Sequence, residues 1–369
     1  MMAPKDVPHN MKAAQISEYG KPYCITSKPV PTIRPHELLV RIHAAGFCHS
    51  DLQVLHGQFK SPLGMIPSHE PAGVIVQVGD RALGSWQVGD RVGVLNFKNA
   101  CGTCRGCGLS KRTLQEPDQG GLDPRFCDRR ETAGFQHDGA FAEYMVADPA
   151  TTVKLPDALS LEQAAPLMCA GATVWGSLEK VTSHLTRGDV VGIVGIGGLG
   201  HLGVQFAAAK GFRVVAVDSR ATGRQLAMEV RDTLKPFLVV DSSMPEEAEA
   251  QILQLTNGEG LAAAIVCTDS LAANSWALKM LRIGGFLGVL GLPPEDWRFD
   301  SSALVFRELT VRGSYVVSKA STQRMIDLVE SAGVRSHVTA VSFDKIPDIV
   351  KMYQTTSMKG RLVVKVVEE

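Results

Sequence analysis

From Asp189 onward the chain alternates short apolar runs with helical stretches. Val190-Val191-Gly192-Ile193-Val194 has the uninterrupted apolar character of a strand covered on both faces. A glycine turn and a helical stretch, His201 to Lys210, follow it. Further strands are expected at Arg213–Asp218, Phe237–Asp241, Ala263–Cys267 and Gly285–Leu290, with helical segments between them. Such alternation predicts a parallel, doubly wound sheet, because parallel neighbours need a crossover connection. Upstream, from about Met11 to Asp148, the rhythm differs. Leu38–Ile42, Gly73–Gly79 and Phe141–Val146 are short β segments set among many Gly and Pro turns, with no βα repeat. After about Gly313 the alternation stops, and the tail ends in another β run, Arg361–Val367. The pattern predicts an α/β fold in which a Rossmann unit, residues 167–313, is inserted into a β-rich domain formed by residues 1–166 and 314–369.

Length and composition fit that division. A chain of 369 residues exceeds what one hydrophobic core usually organises. Lys+Arg and Asp+Glu each number 38, so no net charge points to nucleic acid or an anionic membrane surface. The first fifteen residues lack the apolar stretch of a signal peptide, and the apolar runs are too short to span a bilayer. A cytoplasmic location is the expectation. Eight cysteines in such a chain suggest metal ligands or catalysis rather than disulfides.

The glycine turn carries the first chemistry. Gly195-Ile196-Gly197-Gly198-Leu199-Gly200 follows a strand and opens a helix, and Asp218 ends the next strand eighteen residues on. Glycines there permit a tight turn and close approach of backbone N–H groups to a pyrophosphate at a helix N-terminus. Asp218 can accept from ribose hydroxyls and would repel a 2′-phosphate, which favours NAD. Arg220 and Arg224 nearby are the argument for NADP.

The cysteines carry the second. Cys101, Cys104 and Cys107 are spaced to wrap a tetrahedral zinc, with Cys127 as fourth ligand after a long loop, 108–126. Lengthening that loop costs only about 1 kcal/mol of closure entropy. A structural zinc contributes roughly 10 kcal/mol of apparent folding free energy, so the loop does not spoil the site. Free or paired cysteines are the competing reading. Four thiolates leave no open position, so this metal would be structural.

Several further motifs, in order, give the chain a family likeness. They are Gly46-Phe47-Cys48-His49-Ser50-Asp51, His69-Glu70-Pro71-Ala72-Gly73, the cysteine lobe, Asp138-Gly139-Ala140-Phe141-Ala142-Glu143-Tyr144, Cys169-Ala170-Gly171-Ala172-Thr173, the glycine turn, Gly313-Ser314-Tyr315 and Gly360-Arg361. From about Lys12 to the C-terminus the chain resembles the zinc-containing alcohol dehydrogenases of the medium-chain dehydrogenase/reductase superfamily, most of all their tetrameric microbial branch. The resemblance implies a GroES-like catalytic domain around the Rossmann unit, two zinc ions per chain and a homo-oligomer, dimer or tetramer. It implies Cys48, His69 and Cys169 as ligands of a catalytic zinc, Glu70 beside the metal as an outer or transient ligand, and Asp51 as the partner that orients His69. Ser50 would accept the alcohol's proton, and His49 and Arg361 would contact the cofactor pyrophosphate. Zinc would act as a Lewis acid while NAD(H) exchanges hydride with a small-molecule alcohol or its aldehyde or ketone.

Two departures stand out. Where the branch commonly has a histidine three positions after the hydroxyl residue, this chain has Gln53, which carries no proton at neutral pH. Where small-alcohol members narrow the pocket with two tryptophans, the corresponding residues are Phe59 and Asn96. The expected substrate is therefore larger than ethanol, with aromatic and polyfunctional alcohols as candidates. A polyol or formaldehyde dehydrogenase is the nearest alternative. A zinc-free reductase of the same superfamily would lack the cysteine lobe. A non-catalytic dinucleotide- or zinc-binding protein is the alternative from another class.

Overall fold

The computed structural model describes residues 7–82, 84–113, 123–355 and 357–367. Two compact units emerge from the contacts. One comprises Met1–Cys169, Ser318–Ile326 and Val338–Glu369, and the other Ala170–Val317 and Asp327–His337. These borders fall a few residues after those expected from sequence. They also give the second unit a segment, Asp327–His337, that the sequence pattern assigns to the first. The reason is local: Gln205 holds both the N–H and the carbonyl of Arg335, at 3.0 and 2.8 Å.

The first unit is built on a seven-stranded sheet. Its path runs Val338–Ser342, Arg361–Lys365, Leu38–Phe47, Glu70–Val78, Arg91–Val94 and Thr152–Lys154, with Tyr144–Ala147 also paired to Leu38–Phe47. All pairs are antiparallel except that between Val338–Ser342 and Arg361–Lys365. Leu38–Phe47 is longer than the run Leu38–Ile42 suggests, because it is buried along most of its length and register shifts near Ile42 carry it past Ala44. Tyr23, Ile42, Phe47, Ile75 and Phe141 are among the side chains closing its core. Each such side chain contributes on the order of 1.5–3 kcal/mol by leaving water. The strand ends at Phe47, so the next residue, Cys48, leaves the sheet at a fixed point.

The second unit contains a six-stranded parallel sheet. Its order is Leu238–Asp241, Arg213–Asp218, Val190–Val194, Leu261–Val266, Leu281–Val289 and Thr310–Gly313. In chain order this is 3-2-1-4-5-6, the doubly wound arrangement expected, whose crevice lies where the strand order reverses. Val190–Val194 is buried at every position, which explains its unbroken apolar run.

The structure corrects two readings. Residues Arg105–Thr113 of the cysteine lobe form a helix rather than the start of a loop, and Pro124–Phe126 form one turn of 3-10 helix. Residues 114–122 of the expected loop lie outside the described residues. A fourteen-residue helix, Lys319–Ala332, occupies part of the tail where no helix is anticipated. No helix among the described residues is long and apolar enough to cross a membrane.

Candidate active site

Cys48 caps the helix His49–Leu55 at the end of strand Leu38–Phe47, and Asp51 sits at the third helical position. From there the Asp51 carboxylate, fully buried, turns back and accepts three bonds. Its Oδ2 takes the Cys48 N–H at 2.8 Å, and its Oδ1 takes the Ser68 N–H at 3.1 Å and lies 3.1 Å from His69 Nδ1. A carboxylate oxygen accepts only, so His69 carries a proton on Nδ1 and turns its other ring nitrogen, Nε2, away from Asp51. Ser68 adopts a left-handed backbone, φ 72°, secured by the bond from its Oγ to the Gly46 carbonyl at 2.8 Å. That turn aims His69 and Glu70 at the same point as Cys48. The approach is close enough that a Cβ on Gly46 would lie 1.9 Å from Glu70 Oε2, so only glycine fits there.

Cys169 enters from the other side, between the 3-10 turn Ala165–Met168 and the helix Ala170–Val181. The ligand atoms of Cys48, His69, Glu70 and Cys169 all lie within 4.8 Å of one another. Their electrostatics are coupled. The Cys169 thiol, donating to Cys48, holds the Cys48 thiol well below the usual range, with help from His69 and Arg361. Cys169 is correspondingly pushed well up by that bond and by burial. Burial works against charge on His69, but Asp51 prevails and raises it. Burial also lifts the Glu70 carboxyl to about 7, against the pull of Arg361. Arg361 is 3% exposed, and its guanidinium donates to Glu70 Oε1. The other oxygen, Glu70 Oε2, is buried with no hydrogen-bond partner. Two soft sulfurs, one imidazole nitrogen and a Glu70 carboxylate oxygen, all within 4.8 Å of one another, form a donor set suited to zinc.

The lobe brings Cys101, Cys104, Cys107 and Cys127 equally close, their sulfurs within 4.8 Å of one another. Backbone N–H groups point at those sulfurs. Cys104 Sγ accepts from Cys107 and Asp128 at 3.4 and 3.3 Å, and Cys127 Sγ from Cys101 and Arg129 at 3.4 Å each. Donors aimed at sulfur stabilise thiolates. Backbone and side-chain donors of Thr103 draw Cys101 down to about 6, whereas burial pushes Cys107 up to about 12. All eight cysteines are free of disulfides.

In the second unit, Gly195 turns at φ 90° after Val190–Val194, and Gly200 opens the helix Gly200–Ala209. A Cβ on Gly200 would lie 2.1 Å from the Gly195 carbonyl oxygen, so this glycine closes the turn. At Gly197 the nearest atom to an added Cβ is Arg220 Nη2, at 3.8 Å. The protein's own atoms therefore do not demand glycine at 197, and the vacant space fits a ligand's close approach. Gly197 borders a cavity of about 640 Å³, also lined by Gly195, Asp218, Arg220, Thr268 and Trp276. Asp218 Oδ2 accepts the Ile196 N–H at 2.7 Å and lies 3.0 Å from Arg220 Nη2. Arg224 pairs with Asp241 at 2.8 Å.

The remaining residues singled out from sequence are placed as follows. Ser50 and Gln53 are half-buried on the helix His49–Leu55, and His49 is exposed at its start, its ring 6.4 Å from that of Tyr353. Asn96 is buried and Phe59 is 46% exposed. Between Phe59 and His69 stands a residue that the sequence reading missed. Phe135 meets Phe59 edge-on at 5.2 Å, and its ring centroid lies 4.9 Å from that of His69. The one sequence signal was an aromatic residue bracketed by Gly134 and Gly139, both needed beside the Ser68 carbonyl.

Residues 34–157 match the alcohol dehydrogenase GroES-like domain, and residues 198–331 the zinc-binding dehydrogenase domain. An alcohol dehydrogenase of Geobacillus stearothermophilus is 37% identical over 358 residues, covering 96% of this chain and 100% of its own. One of Moraxella sp. (strain TAE123) is 34% identical, covering 96% of this chain and 99% of its own. Among solved structures, the alcohol dehydrogenase of the hyperthermophilic archaeon Aeropyrum pernix superposes with a TM-score of 0.82 at 29% identity, covering 96% of this chain and 99% of that one.

Proposed function

The chain belongs to the zinc-type alcohol dehydrogenases of the medium-chain superfamily, and from that premise we propose that it binds two zinc ions and uses NAD(H) on an alcohol larger than ethanol. The observation that carries this reading is the convergence of the ligand atoms of Cys48, His69, Glu70 and Cys169 within 4.8 Å of one another. When bound, zinc supplies a Lewis acid for the alcohol or carbonyl oxygen, and the nicotinamide exchanges the hydride.

The chain's own residues do the rest. Cys48, His69 and Cys169 hold the metal, with Glu70 as an outer or transient ligand. Asp51 fixes the His69 tautomer and ring plane, so that Nε2 keeps its aim. Ser50 takes the proton of the alcohol at its Oγ. Gln53, one turn along the same helix, cannot pass that proton on, so its route to solvent runs through the cofactor ribose, through water or through another base. Cys101, Cys104, Cys107 and Cys127 hold a closed structural zinc.

Gly195, Gly197, Gly198, Leu199 and Gly200 receive the pyrophosphate, and Asp218 the adenosine ribose. NAD is favoured over NADP because both arginines able to hold a 2′-phosphate are engaged, Arg220 by Asp218 and Arg224 by Asp241. His49 and Arg361 are assigned to the pyrophosphate, which Arg361 would have to share with Glu70. The aromatic series His69–Phe135–Phe59, together with Asn96 in place of a second bulky wall, supports an aromatic or polyfunctional substrate over ethanol. A polyol or formaldehyde dehydrogenase keeps the same chemistry and is the second reading.

A homo-oligomer is also proposed. Strand Thr310–Gly313 ends the parallel sheet with all four residues exposed, and Ile283 and Phe306 are 75% and 82% exposed. Unpaired edges and large apolar surface invite a second copy. Eight unbridged cysteines agree with a reducing, cytoplasmic location.

Zinc analysis together with NADH oxidation against a panel of aldehydes, with NADPH alongside, tests the whole reading. Two zincs, preference for NADH and a higher kcat/KM for bulky aldehydes than for acetaldehyde are expected. Acetaldehyde as best substrate would overturn the pocket assignment, and preference for NADPH the role of Asp218.

A further inference from the structure

His201 lies within the first turn of the helix that follows the glycine turn and is 1% exposed. Its two ring nitrogens bond in opposite directions. Nδ1 lies 2.8 Å from the carbonyl oxygen of Gly197, one turn back. Nε2 accepts the backbone N–H of His337 at 3.1 Å and lies 3.2 Å from Ser336 Oγ. A carbonyl only accepts and a backbone N–H only donates, so the partners fix the tautomer: neutral imidazole with its proton on Nδ1. One turn further on, Gln205 repeats the device. Its amide donates to the carbonyls of Arg335 and His201, and its oxygen accepts the Arg335 N–H. Residues 335–337 are thus fastened along the helix at three successive residues and serve as a fixed anchor for the His201 ring.

The consequence reaches the glycine turn. A trans peptide is planar, with its C=O and N–H pointing opposite ways. Holding the Gly197 carbonyl toward His201 therefore turns the Gly198 N–H away from the helix. The Gly198 and Leu199 N–H groups meet no backbone acceptor among the described residues, as expected of orphan donors at a helix start. Gly197 and Gly198 have little stiffness of their own. The Gly197 carbonyl also accepts the backbone N–H of His201, at 3.3 Å, so the ring bond at 2.8 Å is the shorter of two that set the plane between them.

We propose that His201 is a positioning residue for cofactor binding: anchored on Ser336 and His337, it sets the Gly197–Gly198 peptide so that its N–H is pre-aimed at the pyrophosphate. The role rests on reading the glycine turn as the dinucleotide site. Pre-aiming removes an ordering cost from binding rather than from hydride transfer, so its loss appears in the affinity for the dinucleotide and leaves the chemical step alone.

Three variants separate positioning from packing. His201→Phe keeps the ring and loses both bonds. His201→Asn places an amide N–H near the Nδ1 position and retains the donor to Gly197. His201→Gln places its amide near Nε2 and loses that donor. Dissociation constants for NADH, with NADPH alongside, are measured by fluorescence titration of the zinc-loaded enzyme, with kcat and thermal midpoints recorded in parallel. Loss of one oriented bond predicts about tenfold weaker binding for the Phe and Gln variants, recovery to within about threefold for Asn, and kcat within about twofold throughout. If Phe does not fold, the contrast between Asn and Gln decides. Equal affinities for Asn and Gln, or a fall in kcat matching the fall in affinity, overturn the proposal. Gly197→Val is the control for the underlying site. If it weakens NADH while the His201 variants do not, the turn binds the dinucleotide and only the positioning role falls. If it binds NADH as well as the wild type, the site reading falls and the proposal with it.

Discussion

Asp51 and His69 stand eighteen residues apart in the chain, yet Asp51 Oδ1 lies 3.1 Å from His69 Nδ1, and the same carboxylate also accepts the N–H groups of Cys48 and Ser68. One buried acid thereby fixes the backbone of one proposed ligand, the approach to a second and the tautomer of that second. Asp51→Asn keeps the shape but sets an amide N–H against at least one of those donors. Loss of such a partner costs roughly 10–100-fold in metal affinity or activity. We expect kcat/KM and zinc retention at the catalytic site to fall together by that order, with the cysteine-lobe zinc retained. Unchanged zinc retention on dialysis would separate Asp51 from the metal.

The glycines of the dinucleotide turn divide into two kinds. Gly200→Ala forces a Cβ to 2.1 Å from the Gly195 carbonyl, so the turn must shift, and a loss of about 1–3 kcal/mol of stability is expected. Gly197→Ala meets nothing closer than Arg220 Nη2 at 3.8 Å and should change stability by less than about 0.5 kcal/mol while weakening NADH. Thermal melts with and without NADH check both. Equal melting losses in the apo proteins would contradict the division.

Gln53 leaves no titratable side chain one turn after Ser50 on the helix His49–Leu55. Introducing a base there, Gln53→His, should speed alcohol oxidation and move the rise of its pH–rate profile toward neutrality, leaving aldehyde reduction less affected. An unchanged profile in both directions would mean that the proton leaves by a path that does not pass this position.

Asp189 caps the entry to strand Val190–Val194. Its carboxylate accepts from Thr186 N–H at 2.8 Å and from Arg282 at 2.8 Å. Although burial pushes the other way, these partners hold its carboxyl below the usual range. A depressed carboxyl contributes stability that is present above its unfolded pKa, about 3.9, and is lost as pH falls through the lower folded value. Asp189→Asn should therefore cost about 1 kcal/mol at pH 7, with the gap to wild type closing below about pH 4. Urea melts across that range check it, and a gap independent of pH would refute the ionic origin.

Much of the doubly wound unit is legible in the sequence, because strands covered on both faces leave unbroken apolar runs. Val190–Val194 and Arg213–Asp218 begin and end where their side chains suggest. Cys101, Cys104 and Cys107 are legible by their spacing, whereas Cys48, His69, Glu70 and Cys169 are linked only by the family resemblance; the structure brings each set together. What escapes has tertiary causes. Gly106 and Gly108 make Arg105–Thr113 read as loop, yet the segment is helical, and Gly106 is required there by packing: a Cβ would stand 1.8 Å from the Phe126 carbonyl oxygen. Phe135 carries no motif of its own and becomes visible only once Gly134 and Gly139 are seen packed on Ser68. The partnership of His201 with Ser336 and His337 spans some 135 residues and leaves no local trace.

The most direct test of the central assignment is zinc content per chain in the wild type and in Cys169→Ser, each assayed with NADH and a bulky aldehyde. We expect two zincs in the wild type. In Cys169→Ser we expect one, with turnover abolished and the thermal midpoint held up by the cysteine lobe. One zinc in the wild type, or two in the variant with activity intact, would remove Cys48, His69 and Cys169 from the metal-binding role and leave only the fold standing.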